Sequence, residues 1–201
     1  VGFNEVYSIS EKYKECTLCP LHKDRIVNKE SVIIGEGVVD ALGLIITDAP
    51  KYNDPAHPTI YTKGSEETEI LKKIFIKVGL STYEWYITST LACKGIVNRD
   101  NVIACRDRLR DVIKAINPKV ILLLGRASYF SLYGVGPSAE TKKGVQPGKS
   151  EISVIYTHNL SGYIAARKIN TEGYQEAAKE MMGHWQEAAN IINKYKEDGL
   201  T

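Results

Sequence analysis

Between Lys119 and Gly125 the chain reads KVILLLG, an unbroken aliphatic run with no polar residue inside it. Side chains of a strand point alternately to opposite faces, so a strand with one wet face carries polar residues at every second position. This run carries none and must be covered on both faces, as happens in parallel sheets clad in helices. The rest of the chain supplies the partners. Leu42–Ala49 (LGLIITDA) reads as a buried strand ending at Pro50, and Tyr83–Ser89 and Ile152–Thr157 read as two more. Glu66–Val78 reads as an amphipathic helix, with Ile70, Ile74 and Val78 spaced by four, Ser65 as its cap, Glu66 and Glu67 in its first turn and Gly79 at its end. Val102, Cys105, Leu109, Val112 and Ile116 mark a second helix face that stops at Asn117–Pro118. Ala127–Leu132 is a short helix, and a last one runs from about Glu172 to Tyr195 with Met181, Trp185, Ala188 and Ile192 on one side. The alternation predicts a three-layer α/β/α sandwich around a central four-stranded, mainly parallel sheet, a single domain over residues 1–201.

Such sheets bind ligands beyond the C-terminal ends of their strands. Those ends are Asp48–Pro50, Ser89–Thr90, Gly125–Arg126 and His158–Asn159, and the irregular segments Lys51–Lys63, Gly95–Asn101 and His158–Lys168 follow them. Gly134–Ser150, rich in Gly, Pro and Lys, reads as a surface loop.

Composition excludes other classes. With 43% hydrophobic and 25% charged residues the chain is neither disordered nor membrane-embedded, and no apolar run approaches the roughly 20 residues of a spanning helix. VGFNEVYSIS lacks the basic and apolar segments of a secretion signal, so a cytoplasmic location is expected; the chain is expected to be a monomer. A net charge of +2 neither demands nor excludes nucleic acid. Four cysteines in a chain without such a signal argue against a disulfide framework. Cys16 and Cys19 form C-x-x-C, whereas Cys93 and Cys105 are eleven residues apart and lack the second tight knuckle of a zinc ribbon. Four scattered thiolates also suit a 4Fe-4S cluster, and Cys105 on an apolar helix face equally suits plain packing.

The chain resembles the iron–sulfur uracil-DNA glycosylases of bacteria and archaea, known as family four, over about residues 13 to 195. The motif CxxCxLHxxR is matched by Cys16 to Arg25, and GEG by Gly35-Glu36-Gly37. The first active-site motif, GEAPG with acidic residues after it, corresponds to Thr47-Asp48-Ala49-Pro50-Lys51 with Asn53 and Asp54. ITNxxxCRPPxNR corresponds to Ile87 through Lys94, then Asn98-Arg99, and PKVIxxLGxxA to Pro118 through Ala127. The HPS motif corresponds to His158-Asn159-Leu160-Ser161.

The resemblance implies a 4Fe-4S cluster on Cys16, Cys19, Cys93 and Cys105, with a segment of about residues 13–37 bound to it; zinc on the same thiolates is the alternative. It implies a monofunctional DNA glycosylase, which flips a nucleotide and hydrolyses the N-glycosidic bond to leave an abasic site. His158 would stabilise the departing base, and Asp48 and Asp54 would serve the sugar and a water, although Asp54 before Pro55 also suits an Asx turn. Ala49, Pro50, Asn53, Thr59, Ile60 and Ser89 would form the base pocket. Arg126, Lys142, Lys143, Lys149 and Ser161 would meet DNA. Ser89 stands where the family has a base-reading asparagine, and Thr59 near its stacking phenylalanine. Those smaller residues suggest an enlarged pocket that takes uracil or a bulky modified pyrimidine such as those in phage DNA. The competing reading is an inactive glycosylase-like module that only binds DNA.

Overall fold

The computed structural model describes residues 2–138, 140–146, 151–169 and 172–199. In chain order these form α1 (Gly2–Tyr13), α2 (Leu21–Val27), β1 (Glu36–Gly37), β2 (Gly43–Thr47), α3 (Glu66–Val78), a 3-10 turn (Thr82–Glu84) and β3 (Trp85–Ser89). Then follow α4 (Arg99–Ile116), β4 (Val120–Leu124), α5 (Arg126–Tyr133), β5 (Gly144–Val145), β6 (Ser153–Thr157), α6 (Leu160–Lys168) and α7 (Tyr174–Glu197). The fold is α/β, and its sheet runs β1-β3-β2-β4-β6-β5. The aliphatic run is β4, fully buried at the centre between β2 and β6.

Alternation along the strands divides the core in two. Ile45, Leu122, Leu124 and Ile155 face one side with Leu71, Ile74 and Phe75 of α3 and Met181, Trp185 and Ile192 of α7. Leu44, Ile46, Ile121 and Leu123 face the other with Ile9 and Tyr13 of α1 and Leu109, Val112 and Ile116 of α4. The three layers expected from the sequence are therefore present. Local chemistry sets the helix ends: Ser65 Oγ accepts from Thr68 N at 3.3 Å, Asn98 Oδ1 accepts from Asn101 N at 2.9 Å, and Gly79 closes α3 in the left-handed conformation.

Three features depart from expectation. The sheet has six strands rather than four, because β1 and β5 add antiparallel edges to β3 and β6. Two-residue strands are too short to show a period. The N-terminal segment forms α1, whose Val6, Ile9 and Tyr13 are spaced as a helix face, and α2 follows it. Leu160–Lys168, expected to be irregular, is α6, with Leu160 and Ile164 buried four residues apart. Among the described residues no helix is long and apolar enough to cross a membrane.

The aromatic packing on the α7 side is dense. Trp185 is fully buried, with its ring edge-on to Trp85 at 5.6 Å and to Phe75 at 5.7 Å, while Phe75 stacks on Trp85 at 5.9 Å. Trp185→Ala should cost about 3–5 kcal/mol in urea unfolding, through lost burial and the cavity left behind. Trp185→Phe should cost clearly less, since it also removes an indole N–H that is buried without a partner. Equal losses in the two variants would deny the ring packing this role.

Candidate active site and thiol cavity

The parallel register brings four strand ends to one edge. Thr47 pairs with Ser89, Ile46 with Leu123 and Leu124 with Thr157, so Asp48, Thr90, Gly125 and His158 emerge together. Asp48 is half-buried, and its Oδ2 accepts a hydrogen bond from Asn159 Nδ2. Its Oδ1 is buried without a partner among the described residues. Burial pushes the Asp48 carboxyl above its ordinary value, against the opposing pull of the Lys51 charge and the Asn159 bond. Asn159 is oriented by α6: its Oδ1 caps that helix, accepting from Ser161 N at 2.8 Å and Gly162 N at 3.3 Å, which turns its NH2 toward Asp48. Gly125 permits the approach, with φ +92 and room for no side chain, since a Cβ there would lie 2.9 Å from that of Asn159. Asn159 was legible only as part of HNLS; its tie to Asp48 joins two elements far apart in the chain.

His158 is half-buried, and its Nε2 hydrogen-bonds the carboxylate of Glu180 on α7. Lys143 Nζ lies 3.7 Å from the same carboxylate. Burial would raise the Glu180 carboxyl, but His158 and Lys143 hold it below its usual range. His184, one turn on, meets Thr157 Oγ1 at 2.9 Å through Nδ1. Glu180 and His184 gave no signal in the sequence beyond their place on a long helix.

The remaining expected residues fall in several places. Asp54 is exposed in an Asx turn, its Oδ1 accepting from Ala56 N at 2.9 Å and its Oδ2 meeting His57 Nδ1 at 2.9 Å. Neither bond joins it to Asp48 or His158. Ala49 and Pro50 are buried at the strand end, and Asn53 is exposed. Ile60 departs from its expected place on a pocket wall, because its side chain is fully buried in the core with Tyr61 and Phe75. Ser89 is fully buried and donates to Leu91 O at 2.6 Å, while half-buried Thr59 donates to Tyr61 O at 2.8 Å. Both hydroxyls are thus used by the local backbone. The loop is pinned further by the Glu36 carboxylate, which accepts from the backbone of Ile60 and Tyr61. Lys51 Nζ reaches Ser161 Oγ and, at 3.1 Å, Glu67 Oε1, to which Ser161 also donates at 3.0 Å.

Arg126 is exposed at the start of α5 and borders a groove of about 500 Å³, lined also by Asn98, Arg99, Phe130 and Val135. Arg99 lies over the Phe130 ring at 5.9 Å. Lys142 is exposed, Lys143 is half-buried against Glu180, and Lys149 lies outside the described residues.

On the α1 side, Cys16, Cys19, Cys93 and Cys105 line one small cavity together with Tyr13, His22 and Arg108. All four are free thiols. Burial pushes Cys93 up to about 12 and raises Cys19. Among the described residues no three His, Cys, Asp or Glu side chains are gathered around a single ion position, so the thiols border a common space without meeting at one point.

Comparison with known proteins places the chain. A model of the uracil DNA glycosylase superfamily matches residues 34–181. The type-4 uracil-DNA glycosylase of Saccharolobus solfataricus is 29% identical over 161 residues, 77% of this chain and 69% of that protein. Those of Thermotoga maritima and Sulfurisphaera tokodaii are both 31% identical, over 123 and 143 residues. These two matches cover 58% and 67% of this chain, and 60% and 62% of the relatives' own lengths. With three quarters of its length matched and its strand ends arranged around Asp48 and His158, the chain belongs to the uracil-DNA glycosylase superfamily.

Proposed function

We propose that the chain is a monofunctional DNA glycosylase that hydrolyses the N-glycosidic bond of uracil in DNA and leaves an abasic site. The observation that carries this reading is the Asp48 carboxylate, held through one oxygen by Asn159, the neighbour of His158 in the chain, and left with a free buried acceptor on the other. Breaking the bond builds positive charge on the sugar and negative charge on the base. Asp48 would face the sugar and, once bound DNA opens the strand-end edge to a water, hold that water through Oδ1, which is buried in the free protein. His158 would donate to the base oxygen; with Nε2–H given to the Glu180 carboxylate, Nδ1 is the nitrogen left for it, and it donates only from the doubly protonated ring. Glu180 fixes the ring, and Arg126 and Lys142 would meet phosphates of the flipped strand. Asp54, exposed and engaged in its own turn, would serve from the loop only if that loop closed on DNA. Lys51 follows Pro50, but Glu67 and Ser161 engage its ammonium, which speaks against a Schiff-base step.

The relatives named as uracil-DNA glycosylases favour uracil. The closed hydroxyls of Ser89 and Thr59 and the core position of Ile60 give no support to a pocket widened for bulky pyrimidines.

The sulfur-only donor set on one cavity, flanked by buried cationic side chains, suits a 4Fe-4S cluster held by Cys16, Cys19, Cys93 and Cys105. When bound, it would supply a structural cross-link rather than chemistry, fastening the N-terminal segment to the turn after β3 and to α4.

The test is excision from a uracil-containing oligonucleotide, read as alkali-labile sites. His158→Ala should lower the single-turnover rate about a hundredfold or more while leaving DNA affinity nearly unchanged. A wild-type protein that binds DNA and excises nothing would replace the enzyme with the binding module. Asp48 must be ionised to act, and its carboxyl is raised, so the acid limb of the pH–rate profile should lie above the ordinary 3.8. Lys51→Met removes a charge that lowers this group and should move the limb further up; an unmoved limb would point to another carboxylate. Anaerobically purified protein should carry about four irons and acid-labile sulfide per chain. Stoichiometric zinc without sulfide would overturn the cluster.

A further inference from the structure

Two arginines are buried where, among the described residues, no carboxylate answers them. Arg108 on α4 is 2% exposed and Arg25 on α2 is 6% exposed. Arg108 donates to Thr88 Oγ1 at 2.9 Å, to Ser89 O, and to Thr90 O at 3.1 Å. Arg25 donates to the carbonyls of Lys14 at 3.1 Å and Cys16 at 3.0 Å. Every one of these acceptors is neutral, and the Nε of each guanidinium is buried without a partner. Among the described residues neither side chain has a carboxylate oxygen within 4.0 Å. A guanidinium does not shed its proton in proteins, so both sites hold a full charge. Burying a charge without an opposite one is strongly unfavourable, and carbonyl dipoles offset it only in part.

The thiol cavity is what the two arginines share. Arg108 lines it beside all four cysteines. Arg25 does not line it but holds the backbone carbonyl of Cys16, one of its thiol residues. We infer that Arg108 and Arg25 are the counter-charges of the metal group on the four thiolates, with Arg108 also positioning the Ser89–Thr90 turn at the edge of the base site. This rests on the cluster reading above. Four thiolates around a 4Fe-4S core of charge 2+ leave about −2 in all, which two guanidiniums match. Arg108 points at both neighbourhoods at once: its charge belongs to the thiolates, and its fork belongs to the backbone where β3 ends.

The loaded protein supplies the test, read by redox titration followed by electron paramagnetic resonance rather than by turnover. A nearby positive charge favours the reduced, more negative state of a cluster. Arg108→Met should lower the equilibrium constant for one-electron reduction about tenfold or more, a downward shift of about 59 mV. Arg25→Met should shift it in the same direction. Arg108→Lys keeps the charge but not the fork and should stay within about threefold of the wild type. An unchanged potential in Arg108→Met overturns the inference. Thermal unfolding gives a second readout. Arg108→Met gives up the hydrogen bonds to the end of β3 in either form, but should lower the melting temperature of the loaded protein more than that of the iron-free protein, where it also removes a buried charge whose partner is gone. Equal losses in the two forms would mean that Arg108 acts only through its hydrogen bonds, and would also overturn it. If Arg108→Met cannot be isolated with iron, retention decides: Arg108→Lys must keep its iron, and loss in both variants counts against a charge role. A wild type without iron and sulfide would remove the cluster reading itself, a result distinct from a loaded protein indifferent to Arg108.

Discussion

Hydrogen bonding between β2 and β4, in register and with both faces covered, is the constraint from which the other features follow. Gly43 to Ile46 pair with Val120 to Leu123, and neither strand has a wet face to spare. A parallel pair cannot be joined by a tight turn, so the chain must cross over the sheet between strands. Two of those crossovers, α3 and α4, dry the two faces together with α7 and α1, which lie after the last strand and before the first. Parallel direction also gathers the carboxyl ends of β2, β3, β4 and β6 on one edge, where Asp48 and His158 arise from strands that are not direct neighbours. The site is thus a product of topology before it is a product of any single residue.

The β3–α4 unit links the two functional regions. Its strand ends at Ser89, its connecting turn carries Cys93, and its helix carries Cys105 one turn before Arg108. The turn therefore has a thiol wall on one side and the candidate base site on the other, bridged by one guanidinium. Arg108 ties the end of β3 to α4 through its two terminal nitrogens, although its Nε is left without a partner among the described residues. In the proposed enzyme that tie would hold the edge of the base site while the loop after β2 adjusts to DNA.

Much of the architecture was legible because β4 and the faces of α3, α4 and α7 carry strong periodicity. β1 and β5 were not, since two residues have no period and their pairing is decided by tertiary proximity. α6 was hidden by Gly162 and by the expectation of a ligand loop, though Leu160 and Ile164 carried its spacing. At the site, Asp48, His158 and the four cysteines could be named from motifs. Asn159, Glu180 and Arg108 could not be given their partners, since each acts on a group from a different element: Asn159 on Asp48, Glu180 on His158, Arg108 on the end of β3. Ile60 stands in the loop by sequence, but its side chain, like that of Tyr61, turns into the core, a direction that no local pattern of the segment gives.

The amide of Asn159 answers two demands with two different atoms: the oxygen begins α6 and the nitrogen holds Asp48. Serine, threonine and aspartate can begin a helix equally well, but aspartate would set carboxylate against carboxylate, and the hydroxyls are too short to reach in both directions. Glutamine has the right group on too long a stem. Asparagine is the residue that meets both demands with one side chain. Serine at this position would still begin α6 but would let go of Asp48, so the start of a helix and the posture of a carboxylate at the end of another strand are separable by a single substitution.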